Sequence, residues 1–207
     1  AWEPLSHMLE GSARGYRERR RMWNVGSQPI PESLPIVPGQ DGSYVIEFAG
    51  VDFGAVAQMV REGAGVPDIQ KRIPDCPEWV LFQIFGFCLA NVNAVDKYLQ
   101  GDGLTGDMLP AWLPLTRDDQ GLIRITAPGE PYLFEILVNA DSPEEVVTLF
   151  PEIPLGVAYQ IIGYYLKHRA HIDFEISEGT GAEPAMRERP EPRWFPALFP
   201  RRPDRHK

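Results

Sequence analysis

The chain has 207 residues, enough for one well-buried domain or two small ones, and its 43% hydrophobic and 24% charged residues are typical of a folded globular protein. No apolar run approaches the roughly 20 residues of a membrane-spanning helix, and residues 1–30 contain no apolar core of a signal peptide. Residues 22–177 carry eight basic and 21 acidic side chains, a net charge of −13 that disfavours nucleic acid and favours a basic partner surface, whereas residues 1–21 and 178–207 each carry +2.

The chain has two cysteines, Cys76 and Cys88. They lack the spacing of a Cys-x-x-Cys motif, and the internal repeat described below places neither of them opposite another cysteine, so we interpret both as small apolar residues. We therefore expect a reduced, cytoplasmic environment and no contact with a membrane.

Residues 1–40 are predicted to form an N-terminal arm. The arm contains at best a short arginine-rich helix, followed by the turn-rich Pro29, Pro31, Pro35 and Pro38. Its candidate contacts for nucleic acid or another polyanion are Arg17, Arg19, Arg20 and Arg21. The alternative is a solvated segment, which is the more frequent role of a charge run.

Residues 41–100 are predicted to form a first helical module. Its expected elements, in chain order, are a strand at 44–48, a helix capped by Asp52 that ends at Gly63, a helix from Pro67 to Ile73, and a helix from Pro77 to about Ala90. Proline is favourable at the first position of a helix because its fixed φ suits the turn and its missing N–H would be unbonded there anyway.

Residues 101–120 are predicted to be a linker, 121–177 a second helical module, and 178–207 an irregular C-terminal tail. The expected elements of the second module are a strand at 122–125, a helix at 131–140, a helix that begins after Ser142, a helix from Leu155 to about Arg169, and a closing strand at 173–177. Ser142-Pro-Glu-Glu145 has the spacing of a capping box, which fixes the start of the second of these helices.

The two modules repeat one sequence at an offset of 77 residues, from 59–96 to 136–173. The identical pairs include Pro74/Pro151, Pro77/Pro154, Gln83/Gln160, Ile84/Ile161, Gly86/Gly163 and Leu89/Leu166. Each copy of such a repeat is one supersecondary unit that buries its apolar face against its neighbour. Because glycine lets helices approach closely, we expect Gly86 and Gly163 to face each other at the seam of an intramolecular pseudo-dimer. The predicted fold is mainly α with short β-strands.

The second copy resembles the domain-of-unknown-function 433 family over about 40 residues. The resemblance lies in Ser142-Pro-Glu-Glu-Val-Val-Thr-Leu-Phe-Pro-Glu-Ile-Pro154, then Ala158, Ile162-Gly-Tyr-Tyr165 and His168-Arg169. The first copy is a degenerate relative, and neither copy has the Gly-Thr-Arg element that usually precedes the helices in that family. The resemblance implies two tandem homeodomain-like, helix-turn-helix modules and a role like that of the antitoxins of PIN-type toxins. It implies no catalytic residues.

Helix-turn-helix modules commonly bind DNA through one helix, which lies in the major groove. In the first copy the third helix is apolar nearly all round, with Gln83 polar, which indicates a buried helix. In the second copy the candidate contacts are Gln160, Lys167, His168 and Arg169. The last three lie at the C-terminus of the helix, where they equally suit the helix dipole. Much of DNA affinity comes from phosphate neutralisation, so the acidic body places a DNA-binding regulator third among the functions considered.

The tail combines aromatic residues with arginines, the residue types that protein interfaces concentrate. Its candidate partner-binding residues are Arg193, Trp194, Phe195, Leu198, Phe199, Arg201 and Arg202. The alternative is that the tail packs back on the acidic body of its own chain.

We predict no catalytic, cofactor or metal site. His168, His171, Asp173 and Glu175 are close in sequence, but neither an HExxH nor a Glu-x-x-His pattern is present. The glycine-rich segment 101–107 lacks the Lys-Ser/Thr pair of a phosphate-binding loop.

The predicted function is therefore that of a non-enzymatic, antitoxin-like protein-binding protein, whose Arg193, Arg201 or Arg202 would cap the carboxylate site of a PIN-type nuclease. The alternative is a structural or assembly subunit that uses degenerate helix-turn-helix modules as a scaffold in a larger complex. Self-association of the chain stays open.

Overall fold

The computed structural model describes residues 28–30, 32–40, 42–102, 113–118 and 121–180. These residues contain seven helices and six short strands, which confirms the prediction of a mainly α fold with short β-strands. The strands are β1 (Gln28–Pro29), β2 (Ile36–Pro38), β3 (Tyr44–Ile46), β4 (Val51–Asp52), β5 (Leu115–Arg117) and β6 (Ile123–Ile125). The helices are α1 (Phe53–Arg61), α2 (Val66–Arg72), α3 (Glu78–Ala90), α4 (Val92–Leu99), α5 (Leu133–Asn139), α6 (Pro143–Leu149) and α7 (Leu155–Thr180).

Local capping interactions set where the helices begin and end. Asp52 accepts a hydrogen bond from the Ala55 N–H at 2.9 Å at the start of α1. Ser142 accepts one from the Glu145 N–H at 3.1 Å at the start of α6. The capping box differs from the predicted one in a single bond, because the Glu145 carboxylate accepts from the Asp141 N–H at 2.7 Å. Gly63 follows α1 with φ +91°, a left-handed conformation that glycine adopts without strain.

The strands form two antiparallel sheets, with the orders β2-β3-β4 and β1-β5-β6. β1 precedes the first sheet in sequence but belongs to the second, where the Ile30 N–H donates to the Leu115 carbonyl at 3.1 Å. β1 and β2 therefore belong to different sheets although they are close in sequence, and the side chains of Ile30 and Leu34 between them are buried.

The two hairpins extend the sequence repeat upstream of the helices. Leu34-Pro35-Ile36 and Leu113-Pro114-Leu115 match at an offset of 79, because the chain between hairpin and helices is two residues shorter in the second copy. Gly42 and Gly121 match at the same offset, and both have a positive φ, of +82° and +76°. β2 consequently lies within the segment assigned to the N-terminal arm, and β5 within the segment assigned to the linker.

The third helix of each copy breaks at the same position of the repeat. In the first copy, Asn91 (φ −124°, ψ 41°) ends α3, and α4 continues at an angle of 94°. In the second copy the matched residue, His168 (φ −109°, ψ 18°), kinks α7, which then runs on to Thr180. α4 was not predicted from the sequence, and the third helix of the second copy extends past its predicted end near Arg169 to Thr180.

The prediction of a closing strand at 173–177 is wrong, because these residues are helical. Their alternating pattern also suits a helix, since Ile172 and Ile176, four residues apart, are both buried on one face. Two contacts with the same spacing support the helix, an ion pair from Arg169 to Asp173 at 3.5 Å and a contact of His171 Nε2 with the Glu175 carboxylate at 3.3 Å.

None of the described helices is by itself long and apolar enough to cross a membrane. α3 and α4 would meet this criterion together, across the 94° bend between them.

Both cysteine thiols are buried, and burial raises the pKa of Cys76 to about 11 and that of Cys88 to about 12. Because the thiolate is the reactive form, we expect neither cysteine to react with an aromatic disulfide reagent at pH 8 while the protein is folded. Both thiols should react rapidly in denaturant. A thiol titration followed by absorbance counts the reactive thiols in the folded and in the denatured protein. Rapid labelling of either thiol in the folded protein would contradict the buried placement.

Candidate functional site

Helix α3 and the first half of α7 form a tightly packed seam between the two copies of the repeat. Every residue of α3 from Val80 to Cys88 is buried. On α7, Ala158, Ile161 and Ile162 are also buried. Glycines bring the two backbones together, since a Cβ atom placed on Gly86 would overlap the carbonyl oxygen of Gly156.

The contacts across the seam are reciprocal. A Cβ on Gly86 would lie 2.8 Å from the backbone N of Gln160, and a Cβ on Gly163 would lie 2.8 Å from Cγ of Gln83. Residues 83 and 160 are matched positions of the repeat, as are 86 and 163, so one contact occurs twice. Such duplication is the property of an isologous, two-fold interface. Gly86 and Gly163 thus both lie between the helices, but each faces a glutamine of the opposite helix and not the other glycine.

Gln83 is a buried amide at the centre of the seam, and neither its Oε1 nor its Nε2 has a hydrogen-bond partner among the described residues. An unsatisfied buried amide costs roughly 1–3 kcal/mol. We expect Gln83→Met, which keeps the unbranched shape, to raise the free energy of unfolding by about 1 kcal/mol. Urea denaturation followed by circular dichroism measures this difference.

Gln160→Met at the matched position is the control for this prediction. Unlike Gln83, Gln160 has no amide atom that is fully buried without a hydrogen-bond partner. The expected change for Gln160→Met is within about 0.5 kcal/mol. A Gln83→Met variant that is less stable than the parent chain would contradict the account of the seam.

A group of charged and polar side chains surrounds the kink of α7 at one end of the seam. We call this group the polar cluster; its members are Glu32, Arg117, Tyr164, Lys167, His168, His171 and Glu175. The Glu32 carboxylate, whose side chain is 13% exposed, accepts a hydrogen bond from Lys167 Nζ at 2.6 Å. Its other oxygen lies 2.7 Å from His168 Nε2. Glu32 thereby joins the chain between β1 and β2 to the kink.

The second carboxylate of the polar cluster is equally surrounded by basic groups. Glu175 lies 3.8 Å from Arg117 Nη1 and 3.3 Å from His171 Nε2. Tyr164 packs its ring 4.5 Å from that of His168, and burial raises the pKa of its hydroxyl against the opposing effect of Arg117. Both carboxylates are paired with basic groups of other segments, so the polar cluster connects Glu32 and Arg117 to the kinked helix α7.

The polar cluster has no equivalent in the first copy of the repeat. The residues matched to Tyr164, Lys167, His168, His171 and Glu175 are Phe87, Ala90, Asn91, Ala94 and Tyr98, none of which is charged. The repeated fold therefore does not require these charges. They mark one end of the seam as the place where the second copy differs chemically from the first.

An aromatic pair extends the polar cluster onto the surface. Lys167 Nζ lies 4.5 Å from the centre of the Trp79 ring, a cation–π contact. Phe48, which is 53% exposed, packs edge-on against the same ring at 5.1 Å. Trp79 thus links the start of α3 to the kink of α7.

The candidate polyanion contacts in the second copy are each close to a carboxylate. Lys167 and His168 contact Glu32, and Arg169 Nε lies 3.5 Å from Asp173 Oδ2. A phosphate would therefore have to compete with carboxylates already in place.

The remaining candidate residues lie outside the residues that the structure describes. They are Arg17, Arg19, Arg20 and Arg21 of the arm, and Arg193, Trp194, Phe195, Leu198, Phe199, Arg201 and Arg202 of the tail. Within the described ranges, no three His, Cys, Asp or Glu side chains come together as metal ligands would.

Sequence reasoning missed Glu32, which lies in the predicted arm and meets residues more than 130 positions away. Its local sequence gives no signal of this contact. A position-by-position comparison of charges between the two copies would have singled out Lys167, His168 and Glu175.

Comparisons of this chain with protein-family models, with curated proteins and with solved structures found no match.

Proposed function

We propose that this protein is a non-enzymatic, antitoxin-like protein-binding module. It consists of two tandem helix-turn-helix-like units that form an intramolecular pseudo-dimer. The observation that carries the proposal is the burial of α3 from Val80 to Cys88. In a helix-turn-helix the corresponding helix would present polar side chains to the major groove of DNA. Here it holds the two units together, which leaves other surfaces for a partner.

The distribution of charge supports a protein partner. The segment 22–177 has a net charge of −13, which opposes the phosphate contacts on which DNA affinity depends. The basic tail has the opposite sign, and its Arg193, Arg201 and Arg202 have the forked geometry that pairs with carboxylates. A PIN-type nuclease, whose site is built of carboxylates, is the partner that the family resemblance suggests.

A structural or assembly subunit is the second candidate. It is favoured by the polar cluster, in which the carboxylates of Glu32 and Glu175 are both paired with basic side chains of the same chain. A DNA-binding regulator ranks third, because Lys167, His168 and Arg169 are the basic groups at the end of the equivalent helix and each contacts a carboxylate.

The test is an affinity purification from the native host after nuclease treatment, with mass spectrometry of the proteins that co-elute. We expect a PIN-type nuclease at equal stoichiometry and loss of its RNA cleavage when the purified chain is added. Arg193→Ala, Arg201→Ala and Arg202→Ala combined should abolish this inhibition. Arg72→Ala, at an exposed position of the body, should leave it intact.

The other outcomes separate the remaining candidates. A multi-subunit assembly in place of the nuclease would favour the scaffold function and exclude the antitoxin-like one. Tight, salt-sensitive binding of duplex DNA by the purified chain would favour the regulator.

A further inference from the structure

The turn between α6 and α7 carries an exposed apolar surface, which we call the turn patch. It consists of Leu149, Pro151, Pro154 and Leu155, all exposed, with the two leucines at 49% and 37%. Isolated apolar residues are common on protein surfaces, whereas a contiguous group indicates a contact surface. The turn patch places four exposed apolar side chains within the seven residues 149–155.

The fold does not require the two leucines. The turn is held from inside by Ile153, which is fully buried and whose N–H donates to the Phe150 carbonyl at 2.9 Å. In the first copy the residues matched to Leu149 and Leu155 are Arg72 and Glu78. The same turn can therefore be built with charged residues, and the second copy has an apolar surface instead.

Acidic side chains border the turn patch. Glu144 and Glu145 are exposed in the first turn of α6, and Glu152 is exposed within the turn. Glu144 accepts a hydrogen bond from the Tyr159 hydroxyl at 2.6 Å, which places the start of α6 against α7. An occupant that complements this surface has apolar side chains flanked by positive charges.

Residues 192–202 of the same chain have this composition, Pro-Arg-Trp-Phe-Pro-Ala-Leu-Phe-Pro-Arg-Arg. Length permits the contact as well. The 26 residues of α7 rise about 39 Å from the turn patch to Thr180, and less because of the kink at His168. An extended chain from residue 180 to residue 192 spans about 40 Å. The segment can thus return along α7 to the turn patch.

We infer that residues 192–202 dock on the turn patch of their own chain. This inference rests on the proposed function in one respect, namely that the same aromatic and arginine residues bind the partner. Docking within the chain then competes with the partner, so the free protein keeps its binding segment covered. Partner binding requires the segment to leave the turn patch.

The test is hydrogen exchange of the full chain, followed by mass spectrometry, without any partner. We expect the amides of residues 192–202 to exchange about tenfold more slowly than those of an unstructured peptide. Leu149→Arg with Leu155→Glu, which copies the residues of the first copy, should abolish this protection. Val37→Thr, which removes an exposed apolar group on β2, is the control and should leave the protection unchanged.

A second variant examines the segment without altering the body. Trp194→Ser with Phe199→Ser should lose the same protection while the thermal unfolding of the body stays unchanged. Unprotected amides in the parent chain, or equal protection in Leu149→Arg/Leu155→Glu, would overturn the inference. Protection that increases with protein concentration would also overturn it, since the contact would then join two copies.

The outcome is independent of whether the proposed partner exists, because exchange is measured on the chain alone. If both proposals hold, Leu149→Arg/Leu155→Glu binds the nuclease about fivefold more tightly than the parent chain, because a binding-competent state that is more populated has a higher apparent affinity. If Leu149→Arg/Leu155→Glu loses the protection of residues 192–202 but binds the nuclease with unchanged affinity, docking does not compete with partner binding.

Discussion

Gly86→Ala is expected to lower the free energy of unfolding by about 3 kcal/mol. The added methyl group would overlap the carbonyl oxygen of Gly156 and lie 2.8 Å from the backbone N of Gln160. Both are main-chain atoms, so the overlap is relieved only if α3 and α7 separate along the seam. Urea denaturation followed by circular dichroism at 222 nm measures the loss.

Two further glycines serve as references for Gly86→Ala. A Cβ on Gly65 would meet Pro67 Cδ at 3.5 Å, an ordinary contact, so Gly65→Ala should cost less than about 1 kcal/mol. Gly163→Ala should fall between the two, because its Cβ would lie 2.8 Å from Gln83 Cγ and 2.9 Å from the Trp79 carbonyl oxygen, a less severe main-chain overlap than the one at Gly86. An unchanged denaturation midpoint for Gly86→Ala would contradict close packing of the two helices.

Glu78→Leu is expected to stabilise the protein more at pH 8 than at pH 4, with a difference of about 2 kcal/mol. Burial raises the pKa of Glu78 from 4.5 to about 7, and the matched residue of the second copy is already a leucine. At about 1.4 kcal/mol per pKa unit, this rise of the pKa corresponds to about 3 kcal/mol of lost stability. Glu78 is still partly exposed to solvent, which reduces the expected loss to about 2 kcal/mol.

The direction of this pH dependence follows from the number of protons that the folded and the unfolded chain bind. Below pH 4.5 the carboxyl is neutral in both the folded and the unfolded chain, so burial of Glu78 carries no charge penalty. Between 4.5 and about 7 the unfolded chain loses this proton while the folded chain keeps it, and stability falls as the pH rises. Above about 7 the folded chain carries the full penalty of a buried carboxylate.

Glu78→Gln separates the charge of this position from its apolar contact. It should remove the same pH dependence without adding apolar surface, so its advantage over the parent chain should vanish at pH 4. The measurement is the urea midpoint of the three chains across pH 4–8. An advantage of Glu78→Leu that is equal at pH 4 and pH 8 would contradict the buried, proton-retaining carboxyl.

Elements whose causes lie within one or two helical turns can be predicted from the residues alone. Asp52 and Ser142 cap their helices through bonds to residues three positions away. Pro77, predicted as the first residue of its helix, is instead the N-cap of α3, one residue before the helix begins. The gapless repeat also indicated the seam. A helix that is apolar on every side has to be buried, and two matched copies of such a helix can bury each other.

Elements that depend on distant partners can be seen only in the folded chain. β1 has two residues and no periodicity of its own, and it pairs with β5 because of a sheet edge built almost 90 residues later. The continuation of α7 past His168 could not be read from 173–177, since the alternating pattern suits a strand and a helix alike. The burial of Ile172 and Ile176 against the rest of the chain decided it.

In the polar cluster, too, local sequence predicts some features, whereas contacts between distant residues depend on the fold. The sequence placed Lys167 and His168 at a helix end, where local reasoning assigns them to the helix dipole or to a polyanion. Only the folded chain brings Glu32 to them, across 135 and 136 positions. The physical reason is that periodicity and capping act over a few residues, whereas the pairing of charges depends on distances that the packing of the whole chain sets.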